Sequence, residues 1–220
     1  MHALTASGAV CATLALIEIS RGALERAGLL MLAALAIDSV DGTLARRLRV
    51  ADLTPQVDGR RLDDVVDFLN YAVVPVVFMV WIGALAPPAL AAAPVMASAY
   101  GFAQRDAKTE DDFFLGWPSY WNVVALYAWR LEVGALWTGA WVLLFSALVF
   151  VPLKYVYPSK LHVFRRTTIA GTFAWILLMA AIVIWPAPAR SLRLAELSLA
   201  FPVWYVALSA WHGRWWRRGA

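Results

Sequence analysis

Four aspartates carry the pattern with the clearest chemistry. Asp38 and Asp41 are three residues apart near the end of one apolar run. Asp63 and Asp67 are four apart at the start of the next. Helical neighbours at these spacings share a face, so two helix ends joined by a loop can aim four carboxylates at one point. Unpaired, the charges would repel one another and be costly beside lipid. A hard divalent cation such as Mg²⁺ or Mn²⁺ resolves that conflict, because it takes oxygen ligands and shares them with substrate phosphates. Gly42 and Gly59 allow a ligand close to the backbone. Arg46 can fork onto a diphosphate, with small Ala45 leaving room beside it. The plainer alternative is a loop whose acids merely pair with its own arginines, Arg46, Arg47, Arg49, Arg60 and Arg61.

The rest of the chain must hold those helix ends. It has 220 residues, of which 62% are hydrophobic and 15% charged. Soluble domains are about 45–50% apolar and about 25% charged. Mean hydropathy is +0.65, and the apolar runs are continuous rather than alternating. This predicts an all-α, multi-pass transmembrane helical bundle and excludes a membrane barrel. About eight spans are expected, at 4–20, 27–45, 62–83, 88–104, 119–132, 134–152, 167–186 and 196–212. "APP" at 86–88 and "WPAPAR" at 185–190 read as turns. With no long linker or repeat, residues 1–220 read as a single integral-membrane domain. "MHALTASG" lacks the basic region of a signal peptide, so it reads as the start of the first span.

Placing both termini in the cytoplasm puts 14 of the 19 Lys and Arg residues inside, including Arg105, Lys108, Lys154, Lys160, Arg165, Arg166, Arg214, Arg217 and Arg218. That orientation satisfies the positive-inside rule and turns the acidic stretch toward the cytoplasm. The net charge of +4 then reflects topology rather than a nucleic-acid partner. Trp81, Trp129, Trp185, Trp211, Trp215 and Trp216 fall near span ends, as an interfacial belt would. Cys11, the single cysteine, allows no internal disulfide. His2, His162 and His212 have no ligand-like spacing.

The spacing reads D-x-x-D-G-x-x-A-R, twelve residues, then G-x-x-x-D-x-x-x-D: Asp38, Asp41, Gly42, Ala45, Arg46, Gly59, Asp63 and Asp67. It resembles the signature of the CDP-alcohol phosphotransferase family. The long gap resembles the bacterial phosphatidylcholine synthases within it, as do "FFLGWPSYWN" at 113–122, with Trp117 where Phe is commoner, and "PLKYVYPSK" at 152–160. The resemblance covers nearly the whole chain and implies a short leader ahead of "LTASGAV". It implies phosphatidyl transfer from CDP-diacylglycerol to choline, releasing CMP, at a cytoplasm-facing site in the bacterial inner membrane. It further implies two ions, Mn²⁺ or Mg²⁺, held by Asp38, Asp41, Asp63 and Asp67, with Asp67 also the general base. Asp41, Gly42, Ala45, Arg46 and Gly59 would hold CDP-diacylglycerol, and a homodimer is implied. Asp64 also lies one turn from Asp67, and the motif alone selects Asp63 over it. Asp64 then reads as a supporting residue or a partner of Arg60 or Arg61, and Asp58 as a loop cap.

Choline is a quaternary ammonium, recognised by aromatic faces. Tyr71, Tyr100, Phe113, Trp117, Tyr120 and Trp121 are the expected cage, with Asn122 orienting the hydroxyl or bonding across helices. Two other readings compete. The acceptor could be serine, glycerol phosphate or inositol phosphate, which would want a basic pocket if phosphorylated. A cation transporter would want acids near mid-span on several helices, whereas here they cluster at one edge of two.

Overall fold

The computed structural model describes residues 1–49, 54, 56–104, 107, 109, 111–158, 160, 161 and 163–215. Arg105, Lys108, Trp216, Arg217 and Arg218 lie outside the described residues. An apolar run in lipid must satisfy its amides internally, and coiling into a helix does so. α1 (His2–Ser20) and α2 (Leu24–Arg47) are joined by three residues, so α2 folds back along α1. Their buried positions are mostly small: Gly8, Ala12, Ala15, Ala27, Gly28 and Ala34. Small side chains let helix backbones approach closely where no water drives association.

α3 (Gly59–Asp67) starts at Asp58, whose carboxylate accepts from the backbone N–H groups of Arg60 and Arg61. This is an N-cap, as expected of Asp58. The rod continues through a π-helical turn, Phe68–Val73, into α4 (Val74–Trp81). After the 3-10 turn Pro88–Ala91 come α5 (Ala92–Ala103), β1 (Phe113–Leu115), α6 (Trp121–Arg130), α7 (Ala135–Leu148), β2 (Lys154–Val156) and α8 (Arg165–Ile184). Three helices close the chain: α9 (Pro186–Ser191), α10 (Leu194–Ser198) and α11 (Ala200–His212).

All eight expected apolar segments are helical. Five rods are long and apolar enough to cross a membrane: His2–Ser20, Leu24–Arg47, Gly59–Trp81, Arg165–Ile184 and Leu194–His212. Pro88–Ala103 and Ala135–Leu148 are apolar but shorter, and α6 has ten residues, against about 20 for a full crossing. The protein is a multi-pass helical membrane protein. Its main core packs Met31, Phe78, Met79, Leu126, Met179 and Val183 at the centre of the bundle.

Three features depart from the pattern read in the sequence. "WPAPAR" is mostly helical, because Pro186 sits at the first position of α9, where its missing N–H costs nothing. The third rod is not uniformly α-helical but carries the π turn. And β1 and β2 form a small antiparallel sheet, pairing Phe113 with Val156 and Leu115 with Lys154. Strands of three residues have too few side chains to show a period. Here they are held by partners far along the chain. Lys154 pairs with Asp111 and Lys160 with Asp112, and Trp215 Nε1 donates to the Lys154 carbonyl at 2.7 Å. The Lys154 hydrogen bond holds the Asp111 carboxyl below its usual range, and burial pushes the Tyr155 phenol up to about 12. Of the expected Trp belt, Trp81, Trp185 and Trp211 are exposed. Trp215 turns in onto the sheet, and Trp129 packs edge-on against Phe78 at 5.3 Å.

Gly116 ends β1 at φ +81°, and a Cβ there would stand 2.3 Å from the Val149 carbonyl oxygen. Both the left-handed backbone and the contact exclude a side chain. Gly116→Ala is expected to destabilise the protein by at least about 2 kcal/mol, read as a fall in the thermal midpoint in detergent. An unchanged midpoint would mean that the 113–120 segment does not need this turn.

Candidate active site

The carboxylates converge because two helix ends meet. Asp38 sits on α2, and Asp63 and Asp67 one turn apart on α3. One oxygen from each of the three lies within 4.8 Å of the others, at partly buried positions. Among the described residues this is a hard-oxygen donor set of the kind a divalent cation takes. The set includes Asp63 and not its neighbour Asp64. Asp41 borders the same small cavity, but its carboxylate stands outside the three-oxygen group. It is 4% exposed, and its Oδ2 accepts from the Thr5 hydroxyl of α1 at 2.6 Å.

The π turn lies directly after Asp67. Within it, Tyr71 donates from its hydroxyl to Asp38 Oδ2 at 2.6 Å. Buried Asn70 donates from Nδ2 to the Val66 carbonyl at 3.0 Å and to the Gly8 carbonyl of α1 at 2.9 Å. Turns of this kind are frequent at functional sites.

A cleft of about 1380 Å³ opens beside the acids. Its polar end is lined by Asp38, Asp41, Gly42, Asp63, Asp64 and Asp67, together with Arg47, Arg60 and Arg165. It continues between α6, α7, α8 and α11 over Phe145, Trp141 and Phe173. Polar and apolar parts of one elongated ligand could lie along it. The Arg46 guanidinium lies near Gly42, where a Cβ would stand 3.3 Å from Nη1. Ala45, Arg46 and Gly59 are not among the described residues lining the cleft. Arg61 pairs with Asp58 at 3.3 Å.

The six rings expected as one cage do not gather at one point. Tyr71 and Tyr120 stand together at the acids, with ring centroids 6.1 Å apart, and Trp117 lines the cleft farther in, stacked on Phe145 at 4.8 Å. Trp121 is fully buried, donating from Nε1 to Ser98 of α5. Phe113 packs on His212 in the core under the sheet. Tyr100 is 51% exposed and packs on Phe150. Asn122 is buried and accepts from the Val123 N–H, within α6. Phe113, Trp117, Tyr120 and Trp121 are close along the chain, but they run from a strand through a turn into the start of α6, and Tyr71 and Tyr100 come from two other helical segments.

Sequence reasoning missed four residues at or beside the acids: Thr5, Asn70, Tyr157 and Tyr205. Tyr205 packs edge-on to Tyr120 at 5.6 Å and lines the cleft with Tyr157. Only Tyr157 had a signal, its place in "PLKYVYPSK".

No protein-family model matches the chain. Full-length relatives do. The phosphatidylcholine synthase of Legionella bozemanae is 36% identical over 189 residues, which cover 82% of this chain and 87% of that one. That of Pseudomonas aeruginosa is 33% identical over 214 residues, 96% of this chain and 90% of that one. That of Borreliella burgdorferi is 30% identical over 214 residues, 96% and 91%. Identity sustained over nearly the whole of both chains, on a helical bundle whose acids converge at one cleft, leads to one conclusion: the chain belongs to the phosphatidylcholine synthase family and is an enzyme.

Proposed function

We propose that the enzyme transfers the phosphatidyl group of CDP-diacylglycerol to choline, giving phosphatidylcholine and CMP. The observation that carries this reading is the convergence of Asp38, Asp63 and Asp67 at the polar end of a cleft that runs on between apolar helices, in a chain of this family. Asp38, Asp63 and Asp67, with Asp41 beside them, would hold two divalent ions, Mg²⁺ or Mn²⁺. Ions so bound neutralise the charge of a diphosphate undergoing in-line displacement.

The chain's own groups do the rest. Arg47, Arg60 and Arg165 line the mouth and suit phosphate oxygens, with Gly42 offering close approach. Arg46, beside Gly42 and off the cleft wall, supports the nucleotide end from behind. The apolar walls suit the acyl chains. Asp67 accepts the choline hydroxyl proton as that oxygen bonds to the phosphatidyl phosphorus. The bond from that phosphorus to the bridging oxygen breaks, and the oxygen leaves on CMP. Tyr71 and Tyr120 offer aromatic faces to the trimethylammonium group. The inner-face excess of Lys and Arg supports a site facing the cytoplasm in a bacterial inner membrane.

Purified enzyme given CDP-diacylglycerol and a panel of alcohols is expected to release CMP fastest with choline. Serine or glycerol phosphate outcompeting choline would overturn the acceptor. A cation over one ring gains roughly 0.5–2 kcal/mol, so Tyr120→Leu is expected to raise the choline KM about 3- to 30-fold. The CDP-diacylglycerol KM should stay nearly unchanged. An unchanged choline KM would remove Tyr120 from acceptor recognition.

A further inference from the structure

α1 carries none of the motif residues, yet it touches the carboxylate site at three points along one face. His2, Thr5 and Gly8 recur every three residues, which sets them on one side of a helix. A Cβ at Gly59 would stand 3.3 Å from Nε2 of His2, so His2 sits over the start of α3. The Thr5 hydroxyl donates to Asp41 Oδ2 at 2.6 Å, reaching α2. At Gly8 the helix presses against the rod that carries Asp63 and Asp67. A Cβ there would lie 2.6 Å from Val66 Cγ1, and the Gly8 carbonyl accepts from Asn70. Only glycine permits that approach. The Asn70 bonds then tie the π turn, which follows Asp67, to α1.

We propose that α1 is the positioning element of the carboxylate site, and that Thr5 is a positioning residue acting through Asp41. Asp41 is buried and borders the same small cavity as Asp38, Asp63 and Asp67. A hydroxyl bonded to one of its oxygens sets the rotation of the carboxylate and so the direction of the other oxygen. Groups that orient metal-binding side chains in this way typically change metal affinity 10- to 100-fold when removed. The Gly8 and Asn70 contacts hold α1 at the depth where Thr5 reaches Asp41. This rests on the metal reading above.

The test is Mn²⁺ binding to the full-length protein in detergent, without substrate, followed by electron paramagnetic resonance. Three variants are compared with the unaltered chain: Thr5→Val, Thr5→Ala and Thr5→Ser. Thr5→Val keeps the shape and removes the donor. It is expected to weaken Mn²⁺ binding about 10- to 100-fold. Thr5→Ala gives the same loss if valine disturbs packing. Thr5→Ser keeps the hydroxyl and should recover affinity to within about threefold. Equal affinity in all four proteins would overturn the proposal, as would a loss that Thr5→Ser fails to recover, since packing and not the hydroxyl would then matter. An unaltered protein that binds no Mn²⁺ would overturn this proposal and the metal reading together. Mn²⁺ binding without choline transfer would sink only the acceptor.

Discussion

Chelation with EDTA should abolish phosphatidyl transfer, and added Mn²⁺ or Mg²⁺ should restore it. The reason lies in the spacing of Asp38, Asp63 and Asp67, whose oxygens lie within 4.8 Å of one another. Two unit charges at that distance repel by at least about 3 kcal/mol at an effective dielectric near 20. Three such groups brought together at partly buried positions call for a cation. A diphosphate substrate adds negative charge at the same place. Without neutralisation it would be pushed out of the cleft, and charge developing on the leaving oxygen would have no partner. Bound ions supply several kcal/mol of that stabilisation. Losing about 4 kcal/mol corresponds to about a thousandfold in rate. CMP release should therefore fall at least about a thousandfold in chelator and return with either ion. Full turnover in EDTA would eliminate the metal site.

Asp63→Asn should abolish turnover, whereas Asp64→Asn should keep at least about a tenth of it. The two residues are adjacent, carry the same group and differ by about 100° around α3. Asp63 belongs to the converging three and Asp64 does not. Asparagine keeps the size of the side chain and removes its charge, so folding is little affected and the loss falls on the metal. A tenth of the activity corresponds to a barrier change of no more than about 1.4 kcal/mol, the most that a nearby charge outside the ligand set should contribute. CMP release under saturating substrate and metal is the measurement. Complete loss in Asp64→Asn with an active Asp63→Asn would reverse the helical-face assignment.

Much of this protein was legible without coordinates, because the signals involved are local. A run of apolar residues long enough to cross lipid must coil, whatever surrounds it, so the eight segments are all helical. Helical periodicity likewise places Asp63 and Asp67 on one face of α3. The spacing of Asp38 and Asp41, with the residues between Gly42 and Gly59, was enough to bring two helix ends to one chemistry. Composition gave a multi-pass membrane protein.

What the chain alone could not disclose depends on residues far apart in it. Thr5 reaches Asp41 across 36 positions, and nothing in "MHALTASG" marks that threonine. Asn70 bonds the Gly8 carbonyl across 62 positions, and the π turn it braces shows no deviation in the hydrophobic pattern. Tyr205 joins Tyr120 at the acids from the last helix. Conversely, the aromatic run at 113–121 looked like one cage and is not, because it passes from a strand through a turn into the first residue of α6, and Trp121 finds its partner in Ser98. Sequence by itself determined which apolar segments are helical and which carboxylates can share a helix face, since both follow from backbone periodicity within a few turns. Only the tertiary structure decided which of those carboxylates converge and which rings stand beside them, since that depends on how closely whole helices pack.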